Sequence, residues 1–267
     1  ISLAAIINAL KVTGKKIEEC RFVVNGAGAA GISCSRFYIT AGAKRENFIL
    51  CDSKGVIRKG RTDLTPEKAE FAVETEARTL ADAIKGADIF LGFSAPNCVT
   101  AEMVKTMAPG PVIFAMANPV PEIFPDVALA AGAAVVGTGR SDFPNQINNV
   151  LGFPGIFRGA LDVRAKDINE AMKLAASQAL AELAAEPVPA GVKKVLAEAY
   201  PADAAAGMFD SKGGVNVNCV IPKPFDPRVV PRVARRVAEA AMKSGVAQLD
   251  IGDLDAYEKS VAERLGK

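Results

Sequence analysis

The chain has 267 residues, 50% of them hydrophobic and 23% charged, with a net charge of +2. That is an ordinary globular composition with room for one large or two small domains, and it points to neither a nucleic-acid face nor a membrane partner. Histidine and tryptophan are absent, so a His-dependent triad and a His-rich metal site are excluded.

The opening ISLAAIINALKVTGKK predicts a helix that buries Leu3, Ile6, Ile7 and Leu10 and stops near Gly14. Its apolar part is too short to cross a bilayer, and its charge follows rather than precedes it, unlike a signal peptide. From about residue 20 to 160, short apolar runs alternate with helical patterns. The runs are RFVVNG, NFILCDSKG, ADIFLGFSAP, PVIFAMANP and AAVVGTGRS. Between them, AAGISCSRFYITAGA, residues 64–86, VTAEMVKTMAPG (opened by Thr100) and PEIFPDVALAAG read as helices. Continuous apolar runs mean strands buried on both faces. Intervening helices mean a parallel sheet, so the fold class is α/β, a Rossmann-type doubly wound parallel sheet.

Beyond residue 155 the strand signal stops. Residues 166–186, 191–200 and 229–244 predict helices, and 207–227, rich in Gly, Pro and Asn, a long loop. The expected division is a dinucleotide-binding domain over 1–164 and a C-terminal α-helical extension over 165–267. Five cysteines, Cys20, Cys34, Cys51, Cys98 and Cys219, form no C-x-x-C pair. They read as free thiols of a reducing, cytoplasmic compartment.

Gly26-Ala27-Gly28-Ala29-Ala30-Gly31 fits G-x-G-x-x-G. The pattern is weak alone, but here it follows a strand, opens a helix and has Asp52 at the end of the next strand, as a dinucleotide site requires. Gly26 permits the tight turn, Gly28 lets the backbone approach a pyrophosphate, and Gly31 lets helix and strand pack closely. The helix N-terminus offers free N–H groups to the phosphates. Asp52 suits the ribose hydroxyls of NAD, while Lys54 and Arg58 behind it leave NADP open. The other strand ends carry Ser94-Ala95-Pro96-Asn97, Ala117-Asn118-Pro119 and Thr138-Gly139-Arg140-Ser141-Asp142. Asn118, held before a proline, is either a ligand for a carboxamide or carboxylate, or a turn residue capping its own backbone. Asn145, Gln146, Asn148 and Asn149 crowd amides just before the apolar VLGFPGIF, which suggests amides aimed into a pocket at a helix start. The tail carboxylates Asp250, Asp253 and Asp255 read as a solvated face rather than a metal site.

The runs VVNGAGAAG, ILCDSKG, VIFAMANPVPEIFPD and GTGRSDFPNQINNVLGFPGIFRGALD closely resemble the NAD(P)-binding domain of malic enzymes in their compact bacterial-type form. The resemblance covers residues 1–164 well and continues more weakly through PKPFDPRVVPRVARRVAEAAMKSGVA. It implies oxidation of (S)-malate with NAD or NADP and a divalent metal, Mg or Mn, followed by decarboxylation to pyruvate. It further implies that Gly26 to Gly31 hold the pyrophosphate, that Asp52 meets the ribose, that Ser94 belongs to the cofactor site, and that Asn118 lies near nicotinamide and malate. Asn148 and Asn149 match the paired asparagines that help hold malate. A homo-oligomer is also expected. The family's catalytic Tyr and Lys and its metal-binding carboxylates belong to a preceding domain, and no residue here inherits those roles. The expectation is a chain that binds cofactor without turning over malate, with another two-domain amino- or hydroxy-acid dehydrogenase, or a nucleotide-sensing module, as alternatives.

Overall fold

A computed structural model describes residues 1–210 and 212–266. The chain forms two compact units, one of Ala9–Phe143 and one combining Ile1–Asn8 with Pro144–Lys267. The first helix, α1 (Ser2–Thr13), contributes to both. The boundary expected after Arg164 falls inside the second unit.

The first unit is built on a sheet of β1 (Phe22–Asn25), β2 (Phe48–Asp52), β3 (Gly55–Val56), β4 (Ile89–Gly92), β5 (Val112–Ala115) and β6 (Val135–Thr138). Its order is β3-β2-β1-β4-β5-β6. All neighbours are parallel except β3, which turns back antiparallel on β2 at the edge. Helices fill the crossovers: α2 (Ala29–Thr40), α3 (Pro66–Ala69), α4 (Leu80–Ile84), α5 (Ala101–Lys105) and α6 (Pro125–Ala130). This is the doubly wound α/β class read from the sequence.

Burial explains why the strands lack alternation. In β1, β4, β5 and β6 every residue is buried, because helices cover both faces. On one face Val23, Phe90, Ile113 and Val136 pack with Ile84, Val104 and Ala128 of α4, α5 and α6. The other face holds Phe22 and Phe48, stacked with ring centroids 4.5 Å apart, and Tyr38 of α2 against Phe22 at 6.3 Å.

Residues 64–86 are not one helix. Thr65 accepts a hydrogen bond from the Lys68 N–H and starts α3, which ends at Ala69; α4 starts only at Leu80, under a capping box of Thr79 and Asp82. Between them the chain is neither helix nor strand, and Val73 bridges to Arg58. Local charge and helix propensity suggested continuity, but pairing of Val73 with the β3 side took precedence.

The second unit is helical: α7 (Phe153–Asp162), α8 (Glu170–Ala185), α9 (Ala190–Ala199), α10 (Pro201–Ala205), α11 (Val229–Lys243) and α12 (Leu254–Leu265). Helix α11 is its centre, packed by α7, α8 and α12. Gly155 and Gly159 make the α7 contact close: a Cβ at 155 would stand 2.6 Å from Val233 Cβ, and one at 159 would stand 2.4 Å from Ala234 O. Asn8 of α1 is fully buried here, donating from Nδ2 to Ala181 O (2.8 Å) and Val220 O (3.0 Å). The predicted loop 207–227 carries no helix or strand among its described residues; Ser211 lies outside them. Among the described residues, no helix is long and apolar enough to cross a membrane.

Candidate functional site

The carboxyl ends of β1, β2, β4 and β5 meet along one edge of the first unit's sheet. The chain direction of the crossovers reverses between β1 and β4, the place where open α/β sheets form a ligand crevice. The segment Gly26–Gly31 leads from β1 into α2 at this crevice. Gly26 has φ of 110°, and a Cβ there would lie 2.5 Å from Phe93 O. Gly31 is equally constrained, since a Cβ would meet Gly26 O at 2.1 Å. The N–H groups of Gly26 and Ala27 both donate to Cys51 O, at 2.9 and 3.1 Å, and Phe93 N–H donates to Asn25 O at 2.8 Å. The turn is therefore braced from β2 and from β4.

Gly28 differs from its two neighbours in the pattern. Its φ is −88°, open to any residue, and a Cβ there would meet no protein atom within 4 Å. It caps α2 without a side-chain hydrogen bond, and no acidic residue stands in the first turn. Gly28, Ala29 and Ala30 are exposed, so the N–H groups that a first helical turn leaves unpaired face outward.

Asp52 ends β2 with its side chain only 8% exposed. Its Oδ1 accepts from Arg61 Nη1 (2.9 Å) and from the Lys54 backbone N–H (3.0 Å); its Oδ2 accepts from Arg61 Nη2 (3.1 Å) and Lys68 Nζ (2.8 Å). Burial raises its carboxyl, but these hydrogen bonds from Arg61, Lys68 and Lys54 outweigh it and bring the pKa down to about 2. Asp63 bonds the same Arg61 (2.8 Å) and Lys54 Nζ (3.0 Å). Three cations thus surround two carboxylates. Sequence reasoning pointed to Lys54 and Arg58 and missed Arg61 and Lys68; Arg58 instead donates to Lys59 O at 3.4 Å.

Ser94 to Asn97, after β4, are exposed, and Asn97 takes a left-handed φ of 54°. Asn118, after β5, is exposed and joined to Pro119 by a cis peptide. Arg140, after β6, donates to Pro119 O at 3.2 Å and pairs with Asp142. Between these loops lies a residue the sequence did not single out, Glu122. Its side chain is fully buried, with Oε1 accepting from Ser94 N–H and Oε2 from Ala117 N–H, both at 3.0 Å. A carboxylate seven residues after a strand end carries no sequence signal for this; only the fold brings Ser94 to it.

In the second unit, Asn148 is half-buried and caps a short 3-10 turn, its Oδ1 accepting from Val150 N–H at 3.0 Å; Asn149 is exposed. Asn145 departs from the expectation of amides aimed into a pocket. It is buried and brackets the chain, donating to Val217 O (2.7 Å) and accepting from Val220 N–H (3.0 Å). All five cysteines are free, and burial raises Cys51 to about 12 and Cys20 to about 11, so neither is a reactive thiolate at neutral pH. Among the described residues no group of three Asp, Glu or Cys side chains is placed to hold a metal.

The sheet order and the braced glycine turn define a Rossmann-type dinucleotide-binding fold. The family model described as the NAD-binding domain of malic enzyme matches residues 1–196. An NADP-dependent malic enzyme of Rhizobium meliloti is 50% identical over 266 residues, 99% of this chain and 33% of that protein. An NAD-dependent malic enzyme of the same organism is 48% identical over 260 residues, 96% of this chain and 32% of that protein. The crystal structure of Entamoeba histolytica malic enzyme superposes with a TM-score of 0.82 at 38% identity, over 98% of this chain and 51% of that one. The chain belongs to the malic enzyme NAD-binding domain family, and it spans about a third of the length of these curated relatives.

Proposed function

We propose that this chain is the dinucleotide-binding portion of an enzyme that oxidises (S)-malate and decarboxylates it to pyruvate, with NADP as its preferred cofactor. The observation that carries the cofactor site is Gly28. Fold packing demands glycine at 26 and 31 but not at 28, where a Cβ would stand in open space. A pyrophosphate against the first turn of α2 supplies the missing demand, because it has to approach the backbone N–H groups within hydrogen-bond distance.

The choice between NAD and NADP rests on Asp52. A carboxylate offers about four lone-pair sites, and donors from Arg61, Lys54 and Lys68 occupy them. Ribose hydroxyls would have to displace one of these, whereas a 2′-phosphate meets a cluster with one cation in excess. Relatives of both kinds, NADP-dependent and NAD-dependent, match the chain, so the choice rests on this cluster.

When bound, the dinucleotide accepts the hydride from malate C2. The chain's own part is to bind and orient. The first turn of α2 holds the pyrophosphate, Arg61 and Lys68 hold the adenosine end, and the loops at Ser94 and Asn118 present their polar groups to the nicotinamide end. Within the first unit, Asn118 is assigned to malate, as a neutral amide that orients a dianion.

Substituting Gly28→Val tests the cofactor site. The open space predicts a fold kept intact, with a loss of no more than about 1 kcal/mol from replacing a glycine N-cap, and a side chain in the path of the pyrophosphate predicts NADP binding weaker by roughly a hundredfold, about 2.7 kcal/mol. Isothermal titration of both proteins reads this out; equal affinities would remove Gly28 from the site.

A further inference from the structure

Glu122 sits where its burial needs an explanation beyond packing. A carboxylate taken fully out of water costs free energy unless it is paired. Burial pushes the Glu122 carboxyl up, and only backbone N–H groups, those of Ser94, Ala117 and Glu122 itself, act against it. Among the described residues no cation pairs with it. The fold makes room for the group deliberately: Gly92 ends β4 beneath it, and a Cβ at that position would lie 2.2 Å from Glu122 Cδ. The two oxygens divide their work between two loops. Oε1 takes the N–H of Ser94, two residues past β4, and Oε2 takes the N–H of Ala117, two residues past β5 and next to Asn118. Main-chain bonds run alongside, from Asn97 N–H to Pro121 O and from Val99 N–H to Glu122 O, each at 3.0 Å.

We infer that Glu122 is a positioning residue for the nicotinamide end of the cofactor: its carboxylate ties the loops after β4 and β5 together, so that Ser94 and Asn118 form one fixed edge of the crevice. The inference rests on the cofactor-site reading above. An ionised carboxylate accepts at both oxygens, which is what two inward N–H donors require. Neither a glutamine nor an apolar residue can do this. With glutamine, one end becomes an NH2 group facing an N–H, and one loop is released while the volume is unchanged.

The pyrophosphate and the adenosine end of the cofactor are served by α2 and by Arg61 and Lys68, away from these loops. That separation gives a readout that a purely structural residue would not move. In the full 267-residue chain, Glu122→Gln weakens binding of NADP+ by about tenfold, and leaves adenosine 2′,5′-bisphosphate, which has no nicotinamide, within about twofold. Equal loss of both ligands, or loss of neither, overturns the inference while leaving the cofactor site intact. If the wild-type chain binds neither ligand, the cofactor-site reading fails and this inference fails with it.

A measurement on the unaltered chain covers a variant that does not fold. Amide hydrogen exchange should slow at Ser94 and Ala117 together when NADP+ is added, and at neither when the bisphosphate is added. Protection of one without the other, or equal protection by the fragment, overturns the coupling.

Discussion

At the scale of single residues, Asp52 carries the most information about selectivity. Its position was legible because strand, turn and acidic residue follow one another within a short stretch of chain, which is what the dinucleotide pattern encodes. Its state was not legible. Arg61 and Lys68 come from a segment that wraps back past the edge strand β3, 9 and 16 residues further on, and no spacing rule marks them. In the folded chain they turn a lone carboxylate into a saturated, partly buried ion-pair cluster. Lys68 is the more exposed of the two cations and the one that can turn toward a 2′-phosphate. Lys68→Ala should therefore weaken NADP+ by about tenfold, about 1.4 kcal/mol, and leave NAD+ nearly unchanged. Parallel titrations with the two cofactors decide it, and an equal loss for both would place Lys68 outside the phosphate site.

At the scale of elements, α7 shows how a hydrophobic pattern can mislead. Phe153, Phe157 and Leu161 recur every fourth residue, the spacing of a buried stripe. Yet they are 52%, 53% and 65% exposed. The face packed on α11 is instead the one marked by Gly155, Gly159 and Ala160. Small residues let the two helix backbones approach, and the contact is governed by steric fit rather than by apolar bulk. Gly159→Ala forces a Cβ to within 2.4 Å of Ala234 O and 3.0 Å of Val237 Cβ. The helices have to separate, which should cost about 1–3 kcal/mol despite the gain in helix propensity. Urea unfolding checks this; a stabilised variant would show that the helix pair yields easily. The split of residues 64–86 into α3, an irregular stretch and α4 is the second case. Charge and propensity favoured a helix there, and the bridge from Val73 to Arg58 prevailed.

At the scale of the whole molecule, residues far apart in the chain complete the second unit. The second unit takes its first eight residues from the start of the chain and the rest from Pro144 onward. Asn8 joins them: its amide reaches carbonyls 173 and 212 residues away. Asn8→Ala leaves Ala181 O and Val220 O without this donor in a buried place, at a cost of about 1–3 kcal/mol. The expected result is a melting temperature lower by several degrees, roughly 2–4 °C per kcal/mol. A change of less than a degree in calorimetry would mean that other donors replace it.

The sequence by itself determined the five parallel strands, their order of appearance, the glycine turn with the steric demands at Gly26 and Gly31, and Asp52 at the next strand end. These depend on hydrophobic period, turn chemistry and steric demand, which act between residues close in the chain. The tertiary structure decided which groups neutralise Asp52, that Asn145 braces the fold, and that Glu122 joins two loops through donors 5 and 28 residues away. Those outcomes depend on which strand ends lie side by side and on what each buried polar group must find as a partner. Such demands are met only once the sheet has formed.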